Sequence, residues 1–340
     1  MTSATIDIVV PIWNRPNETR NCLVNLISYT PGARIVMVDS GSDRETERIL
    51  QELADSLEEN ALLLHDDHNI GFVRSANRGL AHCEAPYLAL VRSGSLVPPG
   101  WFEPLLAFAE AHPDAGILVP SLSNQRAELP REPLEMESGS FCAMVITREA
   151  YLACQGFDEG MDDGSWCLKD YTRRACAAGF FTYAVPSPQV LCEEEVRLGS
   201  QKRRDEALQR SISLFTERWG TGRSYCVHLP DGTDATLLRH KLEVLLKGAR
   251  HGDRYWVLLP KALYHGAKGG GLFLHENIRL VPLPRFCTIA RQGRVYREIV
   301  AACPGIVSVA AVDGIPFPWG DPYLPFTELA ERIRAGYPET

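Results

Sequence analysis

The first hundred or so residues alternate short apolar runs with longer amphipathic segments. The apolar runs are rich in Val, Ile and Leu, which is typical of strands buried on both faces. The runs that predict strands are residues 6–10, 34–38, 62–64 and 87–91, and the segments that predict helices are residues 17–29, 44–57 and 73–82. This alternation predicts an α/β fold with a mainly parallel sheet and helices on both faces.

Polar residues gather where the predicted strands end. Asn14, Asp39, Asp67 and Arg92 each follow an apolar run at its carboxyl end. In parallel α/β sheets, ligands bind in the crevice beyond the carboxyl ends of the strands. The pattern therefore predicts a binding site at that edge.

The second part of the chain repeats the alternation more weakly. Its predicted strands are residues 225–229, 255–259, 278–283 and 306–309, and its predicted helices are residues 235–249 and 289–302. A Gly-containing turn at residues 219–222 separates the parts, and 340 residues are enough for two domains. We expect one domain over residues 1–220 and a smaller α/β domain over residues 221–340.

Charge differs between these two parts. The net charge of −8 combines −12 over residues 1–220 with +4 over residues 221–340, as expected of two modules with different surfaces. The hydrophobic share of 45% argues against a disordered chain. The acidic balance excludes a generally basic nucleic-acid binder, so we expect no nucleic-acid partner.

Location and redox state follow from simpler features. No run reaches the roughly 18–20 apolar residues of a transmembrane segment, and the N-terminus lacks the pattern of a signal peptide. Ten cysteines occur without any C-x-x-C spacing. We expect reduced, mostly buried thiols and a cytoplasmic protein.

Several motifs resemble those of a known family. They are V-V-P-I-W-N-R at residues 9–15, I-V-M-V-D-S-G-S at 35–42, N-I-G-F-V-R-S-A-N-R-G at 69–79, V-P-P-G-W at 97–101, G-S-F-C-A-M at 139–144, G-F-D-E at 156–159 and A-G-F at 178–180. Their order and spacing, over about residues 5–195, resemble family-2 glycosyltransferases with the GT-A fold. The resemblance implies a Rossmann-like, mainly parallel sheet.

The resemblance also implies a ligand, a nucleotide-sugar donor carrying UDP, GDP or dTDP. Asp39 would accept a hydrogen bond from the base, although Asp39 could instead only cap the following turn. The segment from Pro11 to Asn14 would lay its backbone and the Trp13 ring beside the base. For Trp13, burial in the core is the alternative.

Three further residues would line the nucleotide crevice: Asn69, Arg74 and Asn77. Arg74 suits a diphosphate or a base carbonyl. Asn77 could instead bond the backbone of a neighbouring loop. The acceptor implied is a glycan or a protein, and the reaction implied is inverting hexosyl transfer in polysaccharide or glycoconjugate assembly.

The catalytic part of the family pattern is missing. The family would hold Mg²⁺ or Mn²⁺ with a carboxylate at the position of Gly94, and Arg92 takes the first place of that motif. The pair that supplies the catalytic base falls on Cys167 and Leu168. A His that often contacts the metal is replaced by Cys192.

Two hypotheses follow from these losses. In the first, the protein is a transferase that works without the usual metal, with Asp163 or Asp162 as base and Arg92 balancing the diphosphate. In the second, it is a catalytically inactive binding or scaffolding subunit that keeps the fold.

Overall fold

The computed structural model describes residues 5–123, 132–161, 164–192, 200–268, 274–283, 289–320 and 322–336. The chain divides into two compact units, Met1–Arg218 and Trp219–Thr340. The division falls two residues before the boundary expected between residues 220 and 221. Among the described residues, every helix is too short or too polar to span a lipid bilayer.

The first unit contains an eight-stranded sheet. Its strands are β1 (Ile6–Ile12), β2 (Arg34–Ser40), β3 (Ala61–Asp66), β4 (Tyr87–Val91), β5 (Ala115–Val119), β6 (Leu134–Glu135), β7 (Ala143–Thr147) and β8 (Phe181–Ala184). Its helices are α1 (Pro16–Tyr29), α2 (Arg44–Leu57), α3 (Phe72–Leu80), α4 (Glu103–Ala111), α5 (Arg148–Cys154), α6 (Gly164–Ala177) and α7 (Gln201–Trp219).

The strand order is β3-β2-β1-β4-β7-β5-β8-β6. Strands β1 to β4 are parallel, whereas β7 lies antiparallel between β4 and β5, and β6 lies antiparallel to β8. The mainly parallel sheet expected from the sequence is confirmed. Its two antiparallel strands are additions that apolar run lengths alone do not reveal.

Helix α3 packs closely on the central strands. A Cβ atom at Gly79 would overlap the side chain of Val9 in β1, so only glycine allows this approach. Val9 and its neighbours in β1 are fully buried. The close contact fixes the position of α3, which carries two of the predicted site residues.

The second unit contains a smaller, five-stranded parallel sheet of order β11-β10-β9-β12-β13. Its elements are β9 (Ser224–His228), α8 (Ala235–Arg250), β10 (Arg254–Pro260), α9 (Lys261–Lys268), β11 (Ile278–Leu283), α10 (Ile289–Ala302), β12 (Val307–Ala310), β13 (Leu324–Pro325) and α11 (Phe326–Gly336). The four longer strands and both expected helices coincide with the sequence pattern. The unit has its own core around Tyr225, Leu245 and Phe326.

Candidate functional site

The carboxyl ends of β1, β2 and β3 lie side by side in the first unit. Ile12 pairs in register with Asp39, and Asp39 pairs with His65. Parallel register thus brings to one edge residues that lie 27 and 26 positions apart in the chain. This is the edge at which the sequence predicts a binding site.

Asp39 is the buried centre of this edge. Only 1% of its surface is exposed. Its Oδ1 accepts a hydrogen bond from the Ser42 N–H at 3.1 Å, and its Oδ2 lies 2.9 Å from His65 Nδ1. A carboxylate only accepts hydrogen bonds, so the contact with His65 requires that its Nδ1 carries a proton. Asp39 therefore caps the turn that follows β2, which was the alternative to a ligand role. The same side chain also contacts His65 on β3.

The turn after β1 is tied to the turn after β2. The Asn14 N–H donates to Ser42 Oγ at 2.9 Å, and Asn14 Oδ1 accepts from the Asp43 N–H at 2.8 Å. Asn14 and Arg15 both have positive φ angles, 57° and 60°, a backbone conformation that Asn tolerates better than most residues. These bonds fix the two turns that border the crevice.

Trp13 and Pro11 occupy different surroundings. The Trp13 side chain is exposed, at 36%, so the alternative that it belongs to the core is wrong. Pro11 is buried within β1 and pairs in register with Val38. Contact of either residue with a base stays a prediction.

The three residues predicted on the other side of the crevice bind other parts of the protein. Asn69 Oδ1 accepts from the Gly71 N–H at 2.8 Å, which closes the turn before α3. Arg74 Nε lies 3.3 Å from Glu159 Oε2. Asn77 donates to the Phe157 carbonyl at 2.9 Å and to Glu159 Oε1 at 3.1 Å. Asn77 thus adopts the loop-bonding alternative, and a ligand role for these three residues stays a prediction.

A buried ion network, which the sequence reasoning missed, holds the loop after α5. Asp170 is fully buried and accepts from Arg174 Nε at 2.8 Å and from Arg218 Nη1 at 2.6 Å. Arg218 Nη2 also donates to Asp158 Oδ2 at 2.8 Å. The signal was the Asp-x-x-x-Arg spacing on α6, but Arg218 lies 48 residues away from Asp170.

The same network acts on the ionisation of Asp158. Partial burial opposes its charge, but the Gly160 N–H and the Arg218 guanidinium favour the carboxylate, and their combined effect lowers the pKa of Asp158. Arg174 meanwhile donates to the carbonyls of Cys154 and Gly156 at 2.6 and 2.9 Å. These charges serve to position the loop.

The two positions where the resemblance implies a catalytic base, Cys167 and Leu168, carry no group suited to that role. Cys167 is fully buried, and burial raises the pKa of its thiol to about 12. Leu168 is also buried and has no titratable atom. Asp162 and Asp163, the substitutes expected from the sequence, lie outside the described residues.

At the position where the resemblance implies a metal ligand, Gly94 has no side chain that could bind a cation. Gly94, buried just after β4, offers no side-chain oxygen, and hard cations such as Mg²⁺ and Mn²⁺ bind through oxygen. The Arg92 N–H donates to the Cys142 carbonyl at 3.1 Å, and Ser95 Oγ donates to the same carbonyl at 2.9 Å. Arg92 itself is half-buried at this place.

Cys192, which takes the place of the histidine that often contacts the family's metal, already forms a covalent bond. Cys192 forms a disulfide with Cys142, across 50 residues and with the two Cα atoms 6.0 Å apart. The expectation that all ten cysteines are reduced is therefore wrong, because distant segments of the first unit bring these two together. The pairing also removes the cysteine argument for a cytoplasmic location. Free thiols among the described residues include Cys83, Cys154, Cys167, Cys226 and Cys303.

An open crevice of about 430 Å³ borders Asp39. We call it the Asp39 crevice, and it is lined by Asp39, Arg44, Glu47, Arg48, Gln51, Leu63 and His65. His65 and Glu47 were missed by the sequence reasoning. The available signal for His65 was its place at the end of a strand that pairs with the strand of Asp39.

Comparison with known proteins agrees with this architecture. Residues 7–158 match the model of the family described as Glycosyl transferase family 2. An uncharacterized glycosyltransferase of Haemophilus influenzae (strain ATCC 51907 / DSM 11121 / KW20 / Rd) is 23% identical over 106 residues. That match covers 31% of this chain and 32% of the relative, so the chain spans about a third of that protein.

Two solved structures have the same fold at low identity. S. aureus TarS 1-349 is 14% identical with a TM-score of 0.50, and the match covers 63% of this chain and 64% of TarS. GalNAc-T7, crystallised with UDP, GalNAc and Mn²⁺, is 14% identical with a TM-score of 0.50, covering 62% of this chain and 50% of GalNAc-T7. Residues 7–158 therefore resemble glycosyl transferase family 2, and the first unit that contains them has the GT-A fold.

Proposed function

We propose that the first unit binds a nucleotide-sugar donor at the carboxyl edge of its sheet, with the base at Asp39. The observation that carries this proposal is the buried Asp39 carboxylate, held by Ser42 and His65 and facing an open crevice. A carboxylate fixed in this way is prepared to accept a base N–H, since its orientation is set before the ligand arrives. The family match and the UDP bound to GalNAc-T7 support a nucleotide ligand.

Donor binding would not use a cation on the diphosphate. Neither Gly94 nor the disulfide-bonded Cys192 offers a ligand at the two described positions where the family pattern implies the metal. Arg92 stands at the start of that motif, and its guanidinium can balance diphosphate charge electrostatically. Arg74 is a second cation for the same purpose, once it leaves Glu159.

A second candidate function is donor binding without sugar transfer. It is favoured by the buried thiol of Cys167 and by Leu168, which replace the pair that deprotonates the acceptor. Under this reading the domain is a binding or scaffolding subunit. Under the first reading, Asp163 or Asp162 is the base, and the acceptor is a glycan or a protein in polysaccharide or glycoconjugate assembly.

Calorimetry tests donor binding directly. We expect UDP, GDP or dTDP to bind the full chain equally well with Mn²⁺ and with a chelator. Asp39→Asn is expected to weaken binding by about tenfold, the loss of one good hydrogen bond to a charged acceptor. Arg92→Ala is expected to weaken it similarly. Asp55→Asn and Arg210→Ala, which change exposed side chains on α2 and α7, serve as matched controls.

The outcomes separate the readings. Absence of binding for all three nucleotides contradicts the proposed function, and binding that requires Mn²⁺ contradicts the metal-free form of it. Given binding, release of nucleoside diphosphate from the cognate nucleotide sugar measures turnover. Turnover abolished by Asp163→Asn or Asp162→Asn supports transfer, whereas turnover at the level of buffer alone supports a binding subunit.

A further inference from the structure

We propose that Asp39, Glu47 and His65 form a binding site for a divalent transition metal, separate from the metal position that the family pattern implies. One ligand atom from each of the three side chains lies within 4.8 Å of the other two. The three residues come from different elements: Asp39 from β2, Glu47 from the first turn of α2, and His65 from β3.

The backbone holds these elements in place before any ligand binds. Asp39 and His65 are register partners in the parallel pair of β2 and β3. Asp43 caps the N-terminus of helix α2: its side chain accepts from the Thr46 N–H at 2.9 Å and fixes the first turn. Thr46 is buried, so the turn that carries Glu47 is anchored to the unit.

The distances between the ligand atoms suit a site in which one side chain moves closer when the ion binds. His65 Nδ1 lies 2.9 Å from Asp39 Oδ2, and one ligand atom of Glu47 lies within 4.8 Å of the ligand atoms of the other two side chains. Metal–ligand bonds of about 2.1 Å place neighbouring ligand atoms roughly 3 to 3.5 Å apart. Asp39 and His65 already meet this spacing. The Glu47 side chain is 43% exposed and has the freedom to move the short remaining distance.

The side chains of the cluster favour a cation. Two of the three are carboxylates, and the contact given for Glu47 is with the imidazole of His65, which is charged only when it is protonated. The crevice also contains Arg44 and Arg48, but Arg48 Nη1 is directed to Glu52 at 3.2 Å. A buried carboxylate such as Asp39 gains most from a partner that stays in contact.

The donor set selects a class of ion. One imidazole nitrogen with two carboxylate oxygens suits zinc, whereas Mg²⁺, Ca²⁺ and Mn²⁺ prefer oxygen ligands. On binding, the metal takes the place of the proton between Asp39 and His65, and the neutral imidazole then carries its proton on Nε2 instead of Nδ1. The crevice of about 430 Å³ leaves room for water to complete the coordination.

The site has a consequence for nucleotide binding, and this part rests on the proposed function. Asp39 cannot serve a metal and a base N–H with the same oxygens. Zinc is therefore expected to weaken nucleotide binding, and nucleotide is expected to weaken zinc binding by the same factor. A metal that bridges a diphosphate to the protein would instead strengthen nucleotide binding.

Titration calorimetry with Zn²⁺, on the full chain without nucleotide, tests the site. We expect one Zn²⁺ to bind with an affinity that falls by about tenfold or more in His65→Ala and in Glu47→Gln, and Mg²⁺ not to bind there. His82→Ala and Glu45→Gln are matched controls, because both residues are exposed in the same unit and neither lines the crevice. Equal Zn²⁺ affinity in wild type and His65→Ala would overturn the proposal and assign the ion to the free thiols.

A competition experiment keeps the two proposals apart. Nucleotide affinity is measured with and without Zn²⁺ in wild type and in His65→Ala, and we expect a zinc effect in wild type alone. Nucleotide binding without Zn²⁺ binding would refute the metal site and leave the proposed function intact. Zn²⁺ binding that depends on His65, together with no nucleotide binding, would support the metal site and refute the proposed function.

Discussion

The Asn77 amide pairs with the backbone of Phe157 in both directions. The Phe157 N–H donates to Asn77 Oδ1 at 2.7 Å, and Asn77 Nδ2 donates to the Phe157 carbonyl at 2.9 Å. Gly156 lies so close that a Cβ there would collide with the amide. One side chain on α3 thereby fixes a loop 80 residues further along the chain.

Replacement of Asn77 is therefore expected to cost stability. Asn77→Ala leaves the Phe157 N–H and carbonyl without these partners, and we expect a loss of about 1–3 kcal/mol in the free energy of unfolding. Urea denaturation measures it. Asn60→Ala, at an exposed position before β3, is the control and is expected to change stability by less than about 0.5 kcal/mol. Equal effects of the two variants would contradict a structural role for Asn77.

The Asp170 carboxylate is expected to be among the costliest side chains to neutralise in the first unit. Asp170→Asn keeps the shape but leaves Arg174 and Arg218 facing a neutral amide. We expect the free energy of unfolding to fall by about 2–4 kcal/mol. This is less than the full cost of a lone buried charge, because both guanidiniums are partly exposed. Chemical denaturation of this variant and of the exposed Asp205→Asn measures the difference. A loss no greater than that of the control would show that the network contributes little.

Stability is expected to fall in acid, in part through Asp158. The pKa of Asp158 is lowered in the folded state, so its contribution is present above the unfolded value of about 4 and is lost as pH falls through the folded value. Asp158→Asn is expected to be less stable at neutral pH and to lose less stability between pH 5 and about pH 2 than wild type. Denaturation curves at several pH values test this. Identical pH slopes would exclude a contribution from Asp158.

The disulfide is expected to stabilise the first unit. A cross-link that closes 50 residues contributes about 2–4 kcal/mol, mainly by restricting the unfolded chain. Cys142→Ser is expected to lose this amount, and a dithiol reductant is expected to bring wild type to the same level without affecting the variant. Cys303→Ser, which removes a free thiol, is the control. Alkylation of the unreduced protein followed by mass spectrometry is expected to leave Cys142 and Cys192 unmodified, and modification of both would refute the pairing.

The local features of this protein were predictable from its sequence. Apolar runs such as Ile35, Val36, Met37 and Val38 predict strands, because a strand that is buried on both faces consists of apolar residues in succession. The turn chemistry after Asp39 likewise predicts a cap, since Asp bonds to N–H groups a few residues ahead. The motifs also placed Asn14 and Asp39 at one edge, because parallel strands end together.

Only the tertiary structure decided which distant residues meet. The contacts of Asp39 with His65, of Asp170 with Arg218 and of Cys142 with Cys192 span 26, 48 and 50 residues. No local pattern encodes such partners, because they depend on strand order, register and packing rather than on the spacing of apolar residues. The sequence by itself determined the fold class and the strand edge at which we expect a ligand. The tertiary contacts decided that Cys167 is buried, that Cys192 pairs with Cys142, and that a histidine lies beside Asp39.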